Sequence, residues 1–202
     1  MSKILTFGGY ALTVGSNAVG AEVLNPTVPL PAGTLRLRFK DGYTPVPTVD
    51  YGSTLIQVSS SPNVWDWTQD NANNWNECWK NNTSLLEIIA GNLSGVSHMT
   101  DSFYGCTSLQ TVALLDTSDI EYMVNMFYGC TSLKAVPLFD TSNAASIYRM
   151  FYNCYKVEAG ALALYQKASE DPSLTHTQAF HNCGRDTVTG AAELAQIPAD
   201  WK

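Results

Sequence analysis

Apolar residues in the middle of this chain recur at a fixed interval of 24 residues. Leu85, Leu109 and Leu133 form one column, Ile88, Val112 and Val136 a second, and Ala90, Leu114 and Leu138 a third. Within each unit the spacing L-x-x-V-x-L ends in a period of two, which predicts a short strand with Val112 and Leu114 on one face. A second apolar set is Met99, Met123 and Ile147, each followed four residues later by Phe103, Phe127 or Phe151. That offset predicts a helical turn laid against the strands. Each unit therefore reads as a strand, a turn at Asp-Thr-Ser and a helical segment ending near Gly105 or Gly129. One unit cannot bury its apolar side alone, but stacked units share a core.

The polar positions repeat as well. Phe103-Tyr104-Gly105-Cys106-Thr107-Ser108-Leu109 returns unchanged as Phe127 to Leu133, and decays at Phe151-Tyr152-Asn153-Cys154. Trp79-Lys80-Asn81-Asn82 is a weaker, earlier copy, and Phe180-His181-Asn182-Cys183 a later one displaced to a spacing of 29. Asp116-Thr117-Ser118 is matched by Asp140-Thr141-Ser142. Outside the array, strand-like stretches run from Lys3 to Val14, Thr34 to Phe39 and Thr54 to Ser59, punctuated by Pro26, Pro29, Pro31, Pro45 and Pro47. At the other end Ala159 to Ser169 and Ala191 to Ala195 have helical composition, the latter stopped by Pro198.

The motif M-F-Y-G-C-T-S-L followed by L-F-D-T-S-N resembles the BspA-like leucine-rich repeats of bacterial surface proteins, over residues 79 to 157. The tail, Ala159 to Gln166 and Val188 to Pro198, resembles the ends of such proteins from gut bacteria and their phages. The expected fold is α+β: a short leucine-rich-repeat solenoid of 24-residue units at 67–157, after a small β-rich N-terminal domain at 1–66. A helical C-terminal cap at 158–202 closes it. The resemblance implies adhesion or receptor binding and carries no catalytic residues.

Composition narrows the function. The net charge of −7 argues against a nucleic-acid partner. No apolar run is long enough for a membrane helix. Lys3, the stretch Ile4 to Val14 and Ala18-Val19-Gly20-Ala21 loosely imitate an export signal, but Thr6, Gly8, Gly9, Tyr10 and Thr13 interrupt it. The better reading is a strand pair turning at Gly8-Gly9 or Gly15-Ser16-Asn17.

Candidate chemistry is sparse. Cys106, Cys130 and Cys154 share one repeat position, which Cys183 resembles and Asn82 fills one unit earlier. This spacing favours a ladder of buried free thiols over disulfides or zinc. His176, His181 and Cys183 lie close in sequence without a metal motif. Asp116 and Asp140 read as turn-starting carboxylates that accept backbone amides rather than as calcium ligands. No metal or cofactor is expected. Trp65, Trp67, Trp75 and Trp79 read as a hydrophobic junction rather than a sugar platform.

The suggestive signal is Tyr104, Tyr128 and Tyr152, rigid amphipathic side chains spaced by 24. Leu115 and Phe139 join them as binding candidates. In the expected strand they point outward with Thr111, Ala113, Ala135 and Pro137, and should meet the N-terminal domain or another chain. The resulting expectation is a non-enzymatic recognition protein: a phage virion decoration, fibre or host-binding component at the virion surface, or alternatively an exported adhesin at the cell surface. A glycan-active enzyme ranks last. The expected partners are a cell-surface protein or glycan, other virion proteins in the phage setting, and further copies of the chain; nucleic acid and membrane are not among them.

Overall fold

A computed structural model describes residues 3–7, 10–14, 29–50, 52–69 and 73–202. Strands β1 (Lys3–Phe7) and β2 (Tyr10–Val14) pair antiparallel, with Lys3 opposite Val14. The turn candidates Gly8-Gly9 and Gly15-Ser16-Asn17 fall outside the described residues.

The main sheet has five strands in the order β4-β5-β3-β6-β7: β3 (Thr34–Phe39), β4 (Ser53–Ser60), β5 (Asn63–Gln69), β6 (Leu85–Asn92) and β7 (Thr111–Val112). Alternation in β3 decides its orientation. Leu35, Leu37 and Phe39 are fully buried, while Arg36 and Arg38 take the other face and pair with Asp66 and Glu87. Arg36 meets its cross-strand neighbour Asp66 in a fork, Nε to Oδ1 at 2.7 Å and Nη2 to Oδ2 at 2.8 Å. β5 carries Trp67 opposite Leu35, and Trp67 packs edge-on against Trp75 and Trp79, with centroids 4.7 and 5.5 Å apart. Three antiparallel pairings and one parallel pairing, β6 with β7, make the sheet mixed.

Beyond β6 the chain is built from turns. From Leu93 to Val157 a buried residue arrives at nearly every third position: Leu93, Val96, Met99, Ser102, Cys106, Leu109, and again Ile120, Met123, Met126, Cys130, Leu133, Val136, Phe139. Amides bond to carbonyls three residues back at many of these points, for example Val96 to Leu93, Cys106 to Phe103 and Leu133 to Cys130. Two backbone positions per unit are left-handed. One series is Glu77, Asp101, Asn125, Arg149 and Gln178, with φ between 51° and 60°; the other is Asn81, Gly105, Gly129, Asn153 and Asn182, four residues further on. Two left-handed residues four positions apart are incompatible with an α-helix there.

These bends free alternate amides to bond onward. Met99, Asp101, Phe103 and Gly105 donate to the carbonyls of Tyr122, Val124, Met126 and Tyr128, at 2.7 to 3.0 Å. Met123, Asn125, Phe127 and Gly129 do the same to Ser146, Tyr148, Met150 and Tyr152. The row opens at Trp75, Glu77, Trp79 and Asn81 and continues through the displaced copy, where Phe151 bonds Ala179 and Asn153 bonds His181. It closes where Gln178 and Phe180 donate to Asp200 and Trp201, in a single 3₁₀ turn (Ala199–Trp201). At the opening end the Thr48 amide and hydroxyl donate to the carbonyls of Cys78 and Lys80.

The expected leucine-rich-repeat solenoid with strand-and-helix units and a helical cap is therefore corrected. Among the described residues the chain forms a mixed five-stranded sheet and only two short α-helices, α1 (Ala161–Ala168) and α2 (Val188–Gln196), neither within the 24-residue units. The helices lie where composition placed them. The offset of four from Met99 to Phe103 is a pair of tight bends, not a helical turn. Among the described residues the strand positions 112–114 and 136–138 do not pair with each other: Thr111 and Val112 pair with Glu87 and Ile88, and Ala135 bridges Ala159.

The inward and outward sets change with the period. Leu115 and Phe139 are 3% and 0% exposed, whereas Leu114 and Leu138 are 72% and 50% exposed. Accordingly, Phe139→Ala should destabilise the protein by about 3–5 kcal/mol, while Leu138→Ser should move stability by no more than about 0.5 kcal/mol. Urea unfolding followed by tryptophan fluorescence measures both. Equal losses for the two variants would contradict this assignment.

Candidate functional site

The repeated geometry of the turns carries side chains into register along their outer edge. Tyr104 stacks on Tyr128 at 4.6 Å and 6° between planes, and Tyr128 on Tyr152 at 4.7 Å and 2°. His181 of the displaced copy continues the column over Tyr152 at 4.5 Å and 20°. All four rings are half-buried. The spacing equals that of hydrogen-bonded strands, because the backbone row beneath sets it. Lys80 lies 5.3 Å over the open face of Tyr104 and is paired with Glu77 at 2.5 Å and Asp101 at 2.9 Å. Both carboxylates hold the Lys80 ammonium protonated up to about 12. Arg149 lies 4.8 Å over Tyr148 and 5.4 Å over Tyr152, its Nε donating to Gln178 Oε1 at 2.7 Å. Burial raises the Tyr128 phenol above its ordinary value, with the flanking tyrosines adding to the effect.

Inside the edge runs a second column. Phe103, Phe127 and Phe151 stack at 5.4 and 5.3 Å, and Phe180 follows at 6.0 Å. Phe139 joins Phe127 at 6.0 Å, so it belongs to this core and offers no surface. Leu115 is likewise unavailable: it packs beside Leu35 of β3 against Gly91. Of the five binding candidates only Tyr104, Tyr128 and Tyr152 reach solvent.

The other candidates settle into structural roles. All five cysteines are free and buried. Cys106, Cys130 and Cys154 each donate a thiol hydrogen bond to the carbonyl of Trp79, Phe103 and Phe127, at 3.0, 3.2 and 3.1 Å. Asn82, at the same position, accepts from the amides of Ser84 and Leu85. Burial pushes the thiols of Cys78 and Cys106 up to about 12 and raises those of Cys130, Cys154 and Cys183 well above the ordinary thiol value. His176 stacks on Trp201 at 3.8 Å, away from His181. Asp116 and Asp140 accept the amides of Ser118 and Ser142 at 3.1 and 3.0 Å, and these serines hold both carboxyls below their usual range. Trp67, Trp75 and Trp79 are buried in the core that joins the sheet to the turns. Sequence reasoning missed Arg149 as a companion of the tyrosines. Its only signal is position: it follows Tyr148 and falls four residues before Asn153, the bend shared with Asp101 and Asn125.

Residues 54–166 match a family model described as "Mycoplasma protein of unknown function, DUF285". The chain belongs to this family. The matched span runs from β4 into α1, so the DUF285 unit joins the edge of the sheet to the turn-built body. This match does not itself confirm a specific BspA-like leucine-rich-repeat family. No curated protein and no solved structure matches the chain. Among the described residues no helix is long and apolar enough to cross a membrane.

The thiol column makes a direct prediction. Native protein at pH 8 should resist iodoacetamide at all five cysteines, and unfolded protein should react at all five. Because the folded thiol pKa lies above the unfolded value, the stability it confers is full below pH 9 and is lost as pH rises through about 12. Mass spectrometry reads the labelling, and stoichiometric labelling of the native chain would contradict burial.

Proposed function

We propose that this DUF285 protein is a non-enzymatic recognition module displayed at a surface, and that it meets its partner through the tyrosine column. One observation carries the reading: Tyr104, Tyr128, Tyr152 and His181 stand half-exposed in one register on a fully packed support. A solvent-facing column of rings gives a large, stiff contact area with little side-chain entropy left to lose. The buried phenylalanine and thiol columns beneath supply rigidity and leave the edge free to vary. The BspA-like motif resemblance points the same way, toward adhesion.

Two settings suit such a module. In a phage particle it would decorate the virion or contact the host, with the N-terminal strands attached to a neighbouring subunit. On a bacterial surface it would act as an exported adhesin. Purified particles and cell-surface fractions, probed for this chain by mass spectrometry, separate the two.

The functional test is binding of the full chain to whole bacterial cells, host-cell glycoprotein and a glycan array. Tyr128→Ser with Tyr152→Ser should reduce binding at least tenfold, while the urea midpoint stays high enough to keep the double variant folded. Undiminished binding by the folded double variant would overturn the assignment of this edge. Turnover of any arrayed glycan would overturn the non-enzymatic reading.

A further inference from the structure

The proposed recognition edge has a chemical polarity that narrows its partner. In a nearly parallel stack each ring covers its neighbour's face, so what a partner meets is ring edges and phenol hydroxyls. Ring faces are the electron-rich part of an aromatic and ring edges the electron-poor part. A sugar that packs its C–H bonds on an open face finds none along the middle of the column, and the Tyr104 end face lies under Lys80. Electron-poor edges and hydroxyl donors instead favour oxygen acceptors such as carbonyls and carboxylates.

Charge along the adjacent bends runs in one direction. The repeat position occupied by Glu77 and Asp101 becomes Asn125 and then Arg149. The two carboxylates share the single ammonium of Lys80, and Asp101 also accepts from Asn125 at 2.9 Å. Among the described residues Arg149 meets no carboxylate, and its one side-chain hydrogen-bond partner is the neutral Gln178. Placed beside Tyr148 and Tyr152, Arg149 has remaining guanidinium donors that match the two oxygens of a carboxylate. Arginine beside tyrosine is also the composition of protein-binding hot spots.

Building on the recognition reading above, we propose that this edge receives a polypeptide bearing an acidic side chain, with Arg149 taking the carboxylate and Tyr128 and Tyr152 flanking it. A long polyanion fits less well, since the chain as a whole carries −7 and repels extended negative charge away from this one spot.

A random peptide library displayed on phage and panned against the full chain tests this, with heparin and dextran as glycan probes. Wild-type protein should select peptides rich in Asp or Glu, and Arg149→Gln should weaken the best of them at least tenfold. Gln178 already occupies the equivalent left-handed bend one unit on, so glutamine is accommodated at 149. Arg149→Lys should fall between the two, because it keeps the charge and loses the fork. Selected peptides without acidic enrichment, or equal binding by Arg149→Gln, would overturn the acidic partner. If those peptides still failed to bind the folded Tyr128→Ser, Tyr152→Ser variant, the recognition edge would stand. Heparin bound more tightly than any peptide, and released by Arg149→Gln, would overturn the polypeptide in favour of a glycan. Binding of no probe by any variant would sink both readings together.

Discussion

Every buried backbone amide must find an acceptor, and in this chain that requirement organises everything beyond the sheet. A unit that bends left-handed twice cannot satisfy its alternate amides within itself. Phe103 and Phe127 lie in fully buried positions, so their amides have no water to turn to. They bond instead to Met126 and Met150 in the next unit. Each such bond contributes about 0.5–1.5 kcal/mol net, and leaving one unmade would cost more than that. Left-handed backbone at a residue other than glycine costs of order 1 kcal/mol, so the bends exist only because the row of bonds holds them. Asparagine and glycine, the residues that tolerate this conformation best, fill the second bend in all five copies.

The remaining architecture follows from closing that row. Its opening carbonyls are met by Thr48, and its closing amides by the carbonyls of Asp200 and Trp201. Trp201 seals the last turn by stacking on His176 and lying against Phe180 and Tyr165. β6 is at once the first unit's strand and the neighbour of β3, which continues the sheet's buried face into the turns. The stacked tyrosines are a consequence of the same row: their spacing is the backbone's, repeated at the surface.

Much of this was legible in the residues. The 24-residue register, the thiol position, the displaced copy at Phe180-His181-Asn182-Cys183 and both helices were all readable from composition and spacing. The displaced copy was readable because it repeats the motif's aromatic and thiol positions, and Phe180 and His181 continue the two ring columns over Phe151 and Tyr152. The period was not legible. Leu109, Val112 and Leu115 are three apart, but intervening apolar residues such as Ala113 and Leu114 also fit a period of two, which placed Leu115 and Phe139 outside. Glu77, Asp101 and Arg149 do not advertise left-handed backbone, so the offset of four from Met99 to Phe103 passed for helix. β5 was overlooked because Trp65 and Trp67 drew attention as aromatics rather than as alternate residues of a strand. Arg149 went unseen because its neighbours at that position, Asp101 and Asn125, carry no positive charge.

The hydrogen bonds that cross from one unit to the next hold the structure beyond the sheet, and they can be observed directly. Scalar couplings across hydrogen bonds, measured by NMR on isotope-labelled protein, report which carbonyl each amide contacts. The amides of Asp101, Phe103, Asn125 and Phe127 should couple to the carbonyl carbons of Val124, Met126, Tyr148 and Met150. Couplings from those amides to carbonyls four residues earlier in the same unit would reveal helical turns and contradict the account.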